Sequence, residues 1–402
     1  MNKIMDNKMK KKIISMALLG ATTSLMALGA EHAYLYKDAR IMGMGGANVA
    51  VGGYSTSIFS NPAGLAKIDK DHGFVVDILG LGVAVSDKTS DFVSDISDAA
   101  DSDDEAEMTA VLEKYAGEHF NIGIDNYSAV SKNSDIFAWS IGILAAADMN
   151  FQAHPNGGSD GLLATTSRAY GGLVLGVAKP YETEYGRVDV GVGLKYISQV
   201  SYEGGLGISE LVDEDEDIGE TLQDKYEKES SGFGLDLGIT YYPFKDNYWN
   251  PAFGLSILNI GSMDMDDNFG GQPMTVNIGA SVTPEVDYID KLVLAIDYVD
   301  MFNANIIRDY EYNGVDEDVT YQDFEESDIM KRVRLGASAT LIDSSLFSTT
   351  LKLGMYQAAY TAGIDMEITA IKLSFATYEE QVGTLSVDIP DRRYMAQIGI
   401  GW

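Results

Sequence analysis

Arg393-Tyr394-Met395-Ala396-Gln397-Ile398-Gly399-Ile400-Gly401-Trp402 ends the chain. Tyr394, Ala396, Ile398, Ile400 and Trp402 share one parity; Met395, Gln397, Gly399 and Gly401 hold the other. A period of two sends one set to each face of a strand. A last strand that is apolar on one side, small or polar on the other and closed by an aromatic residue has the pattern of an outer-membrane barrel strand.

The alternation recurs upstream. Val188, Val190, Val192, Leu194 and Tyr196 alternate with Asp189, Gly191, Gly193 and Lys195. Phe233, Leu235, Leu237, Ile239 and Tyr241 alternate with Gly234, Asp236, Gly238 and Thr240. Similar runs cover Leu292 to Tyr298 and Val333 to Leu341. Most last about nine to eleven residues, the length a tilted strand needs to cross hydrocarbon, against about five or six in soluble proteins. Strands are predicted over 73–86, 120–130, 135–148, 167–179, 186–202, 231–244, 251–262, 273–284, 290–302, 331–343, 347–358, 361–368, 371–380 and 391–402. An unbroken 361–380 would make the count odd, and single-chain bacterial barrels are even-stranded with both ends on the periplasmic side. Parity therefore places a turn at Thr369-Ala370. The expected fold is all-β: a fourteen-stranded antiparallel transmembrane barrel over 73–402. The connections then sort into short periplasmic turns and long external loops at 87–119, 149–166, 203–230, 263–272, 303–330 and 381–390, with a short external turn at 359–360.

The N-terminus reads separately. Lys8, Lys10, Lys11 and Lys12 precede an apolar run from Ile13 to Leu28, and Leu28-Gly29-Ala30 fits a cleavage site. Residues 1–30 are expected to be a secretory signal peptide. It carries five lysines and one aspartate, so its removal takes the net charge from -33 to -37. Cysteine is absent, which excludes disulfides, thiol chemistry and lipoprotein anchoring. The acidity argues against nucleic acid as a partner, since phosphates would be repelled. No later apolar run is long enough for a transmembrane helix.

Residues 31–72 lack strand alternation and are expected to form a plug, or hatch, inside the lumen. They contain Arg40-Ile41-Met42-Gly43-Met44-Gly45-Gly46-Ala47-Asn48-Val49-Ala50-Val51 and then Asn61-Pro62-Ala63-Gly64-Leu65-Ala66. Gly43, Gly45 and Gly46 would let backbone approach backbone, and Asn61-Pro62 signals a turn or helix entry. These two stretches, together with Thr361-Ala362-Gly363-Ile364-Asp365-Met366-Glu367 and the last strand, resemble the long-chain fatty-acid transporter (FadL) superfamily of outer-membrane proteins, and within it the TraF-like, conjugal-transfer-labelled branch. The resemblance implies an N-terminal hatch in a fourteen-stranded barrel, with Asn61, Pro62, Ala63 and Gly64 as the hatch turn and Gly43, Gly45 and Gly46 threading the lumen. Members often carry acidic residues shortly before that turn, where this chain has Gly53-Tyr54.

Residues 89–116 are expected to be an amphipathic helix pair in the first external loop. Its apolar face, Phe92, Ile96, Met108, Val111, Leu112 and Tyr115, is either a lid packed on the rim or a groove that captures an apolar ligand. Alternation places Arg187, Asp189, Lys195, Asp236, Lys291, Asp297, Arg332, Arg334, Lys352, Asp365, Glu367 and Lys372 in the lumen, to brace the plug or to line a polar conduit. The acidic loops at 203–230 and 303–330 read as solvated, mobile chain, the alternative being divalent-cation binding that bridges to lipopolysaccharide. Asp264-x-Asp266-x-Asn268 begins like a calcium loop but has Phe269 and Thr275 where Gly and Glu belong. His32, His72, His119 and His154 show no metal spacing and are expected at the surface or at an interface. No catalytic motif, metal or cofactor is expected.

The functional expectation is an outer-membrane channel of a Gram-negative bacterium for passive uptake of a small hydrophobic molecule. Its partners would be that ligand, outer-membrane lipid, lipopolysaccharide and the barrel-assembly machinery. The alternatives are a closed barrel serving envelope assembly, attachment or conjugation, and an ordinary porin.

Overall fold

A computed structural model describes residues 34–71, 73–102, 105–154, 162–207, 227–244, 247–265, 270–313, 318–325, 328–344, 346–384 and 387–401. The expected signal peptide, His72, Phe269, most of the 203–230 acidic loop and Trp402 lie outside them.

Sixteen strands follow one another: β1 (Phe74–Ser86), β2 (His119–Asn133), β3 (Ala138–His154), β4 (Leu162–Thr183), β5 (Gly186–Gly207), β6 (Lys228–Tyr242), β7 (Ala252–Gly261), β8 (Thr275–Val282), β9 (Lys291–Tyr298), β10 (Ile306–Asn313), β11 (Asp318–Glu325), β12 (Val333–Asp343), β13 (Phe347–Tyr356), β14 (Ala359–Ile368), β15 (Ile371–Thr384) and β16 (Val387–Gly401). Fourteen close into one antiparallel barrel, in which β16 pairs with β1 and β12 pairs directly with β9. β10 and β11 form a separate hairpin in the connection between β9 and β12. The acidic stretch at 303–330 is therefore not wholly irregular: β-branched and aromatic residues alternate with its charges, and the acids do not prevent a ladder.

The apolar face of the wall points outward. Val190, Val192, Leu194 and Tyr196 of β5 are exposed, whereas Asp189 and Lys195 between them are buried. Phe233, Leu237 and Ile239 of β6 are exposed, whereas Asp236 and Thr240 are buried. Ile371 and Phe375 of β15, and Tyr394, Ile398 and Ile400 of β16, extend the exposed belt. A wall that buries its charges and exposes its aliphatic residues is built for a solvent less polar than its own interior. No helix among the described residues is long and apolar enough to cross a membrane, and closed strand pairing is the other way to satisfy a backbone in lipid.

The turn required by parity is present. Ile368 pairs with Ile371 across Thr369-Ala370, and Thr369 adopts a φ of 54°. The opposite turn lies at Gln357-Ala358, two residues before the expected 359–360. Both adopt left-handed φ, 49° and 65°, and Tyr356 pairs with Ala359. Two left-handed residues in a two-residue loop match the right-handed twist of the flanking strands. No glycine marks the site. Instead the buried Gln357 side chain donates to Glu380 (2.8 Å) and accepts from the Gln381 amide (2.7 Å), which holds the turn in place. Ala358→Gly should remove left-handed strain and stabilise the barrel by up to about 1 kcal/mol; a higher temperature for loss of the compact gel band would show it.

Candidate functional site

Residues 34–71 contact strands from all round the closed ring. Local chemistry shapes this segment. Asp38 caps the short helix α1 (Ala39–Met42) by accepting from the Arg40 amide at 2.9 Å. Asn61 accepts from the Ala63 amide at 3.0 Å, and Pro62 opens the 3-10 turn Pro62–Lys67. Gly45 and Gly46 take left-handed φ of 67° and 79°.

The wall supplies partners for the segment's backbone. Asp297 of β9 accepts the Asn48 and Val49 amides at 2.6 and 2.8 Å. Lys352 of β13 donates to Arg40 O at 2.9 Å, and Thr361 of β14 donates to Gly43 O at 3.1 Å. Ser256 of β7 donates to Ser60 O at 2.7 Å, and Ser281 of β8 to Ala50 O at 3.1 Å. Asn133 of β2 donates to Ala66 O and Ile68 O at 3.0 and 2.6 Å; Arg187 of β5 donates to Ala66 O at 3.2 Å. Asn61 itself donates to Val49 O at 2.7 Å and to Ile239 O of β6 at 3.2 Å.

Glycines make the fit possible. A Cβ on Gly45 would lie 2.2 Å from Leu335 O, and one on Gly43 2.9 Å from the Gly363 Cα. The wall answers in kind. A Cβ on Gly354 would meet the Gly45 amide at 2.5 Å, one on Gly336 Met44 O at 2.4 Å, and one on Gly254 Val49 O at 2.3 Å. One on Gly191 would meet Ala63 N at 2.3 Å and one on Gly238 Asn61 Oδ1 at 2.0 Å. The inward glycines of the alternating runs are thus sockets for the segment that contains Gly43, Gly45, Gly46 and Asn61-Pro62-Ala63-Gly64.

The lumen charges sort into pairs. Arg187 meets Asp189 at 2.7 Å, Lys195 meets Asp236 at 3.0 Å, Lys352 pairs with Asp365, and Lys372 meets Asp77 at 2.7 Å. Arg332 and Arg334 are buried beside Tyr298 and Tyr356. Lys291 and Glu367 are exposed, not enclosed, because both stand at the short-turn end where the wall stops.

Sequence reasoning missed several participants. Asp77 was hidden because β1 carries a bulge between Ile78 and Leu81, which breaks the parity of the run. Lys37, which meets Glu380 at 2.6 Å, and Arg168, which meets Asp148 at 2.9 Å, lie in stretches where alternation was not counted. His119 is a correction: it is buried, with Nδ1 3.2 Å from Asp391, because the loop after β1 folds back over its strand end.

The helix pair lies at α2 (Thr89–Asp101) and α3 (Glu105–Lys114). Phe92, Met108, Leu112 and Tyr115 are buried against Phe120 of β2 and Met149, Phe151 and Ala153 of β3, with Ile96 and Val111 partly buried around them. Phe92 stacks on Phe120 with ring centroids 4.0 Å apart. The apolar face is occupied by the wall, so it holds the pair onto the rim. Asp95 ties the two helices together by accepting from Tyr115 at 2.6 Å and from Lys114 at 2.5 Å.

A cavity of about 260 Å³ opens beside the N-terminal segment, toward the end with the long connections. Tyr36, Phe59 and Tyr356 line it, together with Lys195, Arg332 and Arg334.

A closed fourteen-stranded barrel with an outward apolar face and a polar, filled interior is an outer-membrane barrel by construction. The sequence matches the family described as "F plasmid transfer operon, TraF, protein" over residues 58–353, and the chain belongs to that family. No curated protein matches it in sequence. Among solved structures, it is similar to the Ralstonia pickettii toluene transporter TbuX, with 14% identity, a TM-score of 0.51, and coverage of 94% of this chain and 98% of that one. It is also similar to the Pseudomonas putida toluene transporter TodX, with 10% identity, a TM-score of 0.52, and coverage of 94% and 98%. Likeness at these identities shows the fold alone, a closed barrel of this kind.

Two predictions follow from this geometry. Gly354→Val should displace residues 43–46 while leaving the ring closed; limited proteolysis should then cut the N-terminal segment in the variant and not in the wild type. Hydrogen bonds from Lys114 and Tyr115 hold the Asp95 carboxyl below the usual carboxylate range. A carboxylate with a depressed pKa stabilises above its unfolded value, about 3.9, and that contribution is lost as pH falls through the folded value. Hydrogen exchange of α3, corrected for its intrinsic pH dependence, should therefore stay slow down to about pH 4 and quicken below it. Asp95→Asn should abolish that step.

Proposed function

We propose that the protein is an outer-membrane channel for passive uptake of a small hydrophobic molecule, with residues 34–71 as its plug. The observation that supports this reading is the tethering of the N-terminal segment: its backbone is hydrogen-bonded to side chains of β2, β5, β7, β8, β9, β13 and β14, which argues against an open aqueous path of porin type. A solute must then move by way of local cavities and plug displacement. The apolar cluster under α2 and α3, with Phe92, Ile96, Met108, Val111, Leu112 and Tyr115, would receive the ligand when the pair lifts from β2 and β3. The ligand's own gradient would drive transfer. In this reading the outward belt meets outer-membrane lipid, the long-loop rim meets lipopolysaccharide, and barrel-assembly machinery inserts the chain.

One observation favours a second reading. The family's description refers to a plasmid transfer operon, and a barrel this thoroughly closed could serve as a scaffold for envelope assembly or conjugation. Reconstitution separates the two. Liposomes carrying the wild type should admit toluene faster than empty ones while showing no ion conductance, and removal of residues 34–71 should open an ion-conducting pore. Toluene entry no faster than in empty liposomes would sink uptake and leave the scaffold. Free ion conductance by the wild type would sink the plug.

A further inference from the structure

The chain carries a net charge of -33, yet the cavity beside the N-terminal segment is lined by Lys37, Lys195, Lys331, Arg332 and Arg334 against Asp38 and Asp300. Several of these charges are matched. Lys37 meets Glu380 at 2.6 Å and Lys195 meets Asp236 at 3.0 Å. Asp38 is taken by Arg40 at 2.7 Å and Thr56 at 2.6 Å. The Asp300 carboxylate accepts the Ala304 and Asn305 amides at 2.8 and 2.9 Å.

Arg332 and Arg334 differ. They are 8% and 7% exposed, and among the described residues neither has a carboxylate within salt-bridge reach. Arg332 Nη1 lies 3.5 Å from Asp300 O, and its Nε is buried with no hydrogen-bond partner. Arg334 donates to the carbonyls of Lys331 (2.6 Å) and Val333 (3.3 Å), and its guanidinium sits 4.0 Å from the Tyr356 ring centre. Asp297 is opposite Arg334 in register but beyond salt-bridge distance; its Oδ2 accepts the Asn48 and Val49 amides, and its Oδ1 is buried without a hydrogen-bond partner. A buried guanidinium without an anion is costly, and the two line the same cavity. Guanidinium groups present paired donors that fit a carboxylate.

The cavity has a place for the rest of such a ligand. Tyr36, Phe59 and Tyr356 supply ring faces, and the volume of about 260 Å³ falls just below the roughly 300–1,000 Å³ of pockets for drug-sized molecules. We propose that this cavity binds a small organic anion, an aromatic carboxylate, with its charge on Arg332 and Arg334 and its ring against the aromatic lining. This narrows the ligand class of the uptake reading and rests on that reading for its role, though binding is measurable by itself. Gly46 abuts both Arg334 and Tyr356, where a Cβ would lie 3.3 and 3.2 Å from them, so an occupied site bears directly on the N-terminal segment.

Calorimetry on the purified full-length protein in detergent, with benzoate and the neutral benzyl alcohol as probes, tests the site. Benzoate should bind at least tenfold tighter than benzyl alcohol. Arg332→Gln and Arg334→Gln should each weaken benzoate at least tenfold and leave benzyl alcohol unchanged, and Arg334→Lys should restore part of the loss. Equal binding of the two probes by the wild type, absence of benzoate binding, or benzoate binding unchanged in both glutamine variants would overturn the proposal. Folding of each variant is checked by its compact gel band; should the glutamine variants not fold, the wild-type probe ratio and the lysine variant still decide. Toluene entry into liposomes keeps the two ideas apart. Entry without benzoate preference removes the anion site and leaves uptake, whereas benzoate preference without entry removes uptake and leaves the site.

Discussion

Fourteen strands enclose more room than their own side chains fill, and that excess space governs the rest of the molecule. Around eight strands is the size at which a barrel packs its own interior. A wider ring must take in water, a ligand or another piece of chain. Residues 34–71 bond to side chains of the wall, and they bring unpaired backbone with them. Every amide and carbonyl placed inside a ring must find a partner, because an unpaired buried group costs about 1–3 kcal/mol. The inner wall is arranged to meet that demand, with Asp297, Lys352, Thr361, Ser256, Ser281 and Asn133 each bonded to main-chain atoms.

Glycine and charge divide the labour on that inner wall. Where the segment's backbone comes closest, the strand offers glycine, as at Gly191, Gly238, Gly254, Gly336 and Gly354. Where there is room for a side chain, the strand offers a charge or hydroxyl. Most charges then pair with their opposites, Arg187 with Asp189 and Lys195 with Asp236. Ion pairs in a desolvated interior contribute little net stability but fix geometry, since removing one partner leaves the other uncompensated. Arg332 and Arg334 stand outside that pattern, and both face the cavity that the segment leaves unfilled.

The rim shows how an apolar face can belong to packing and to function at once. Phe92, Met108, Leu112 and Tyr115 have helical spacing, which announces a face and not its partner. The partner is Phe120, Met149 and Phe151, on two strands that alternation had assigned to the wall. Above the membrane-crossing length the outward residues of those strands no longer face lipid, and the helices cover them instead, while Asn121, Asp148 and Asn150 keep the opposite face polar. The long β4 and β5 continue the same extension, while β7 to β9 remain short, so the rim is uneven around the ring.

The sequence alone determined the fourteen strands of the ring, the outward face and the one turn demanded by parity, because a period of two is a property of the chain read in order and closure requires an even count; the β10–β11 hairpin was not foreseen. It also marked the glycine-rich segment as separate from the wall. The left-handed turn at Gln357-Ala358 was not legible, since its support comes from Glu380 and Gln381 on another strand. Nor was Asp77, whose face is set by a bulge that depends on pairing with both β2 and β16. The pairing of each charge, the seating of each glycine and the two arginines left without a carboxylate among the described residues were decided only by closure. Closing the ring brings residues hundreds of positions apart, such as Lys37 and Glu380, within 2.6 Å, and no local pattern encodes which strand will lie across the lumen.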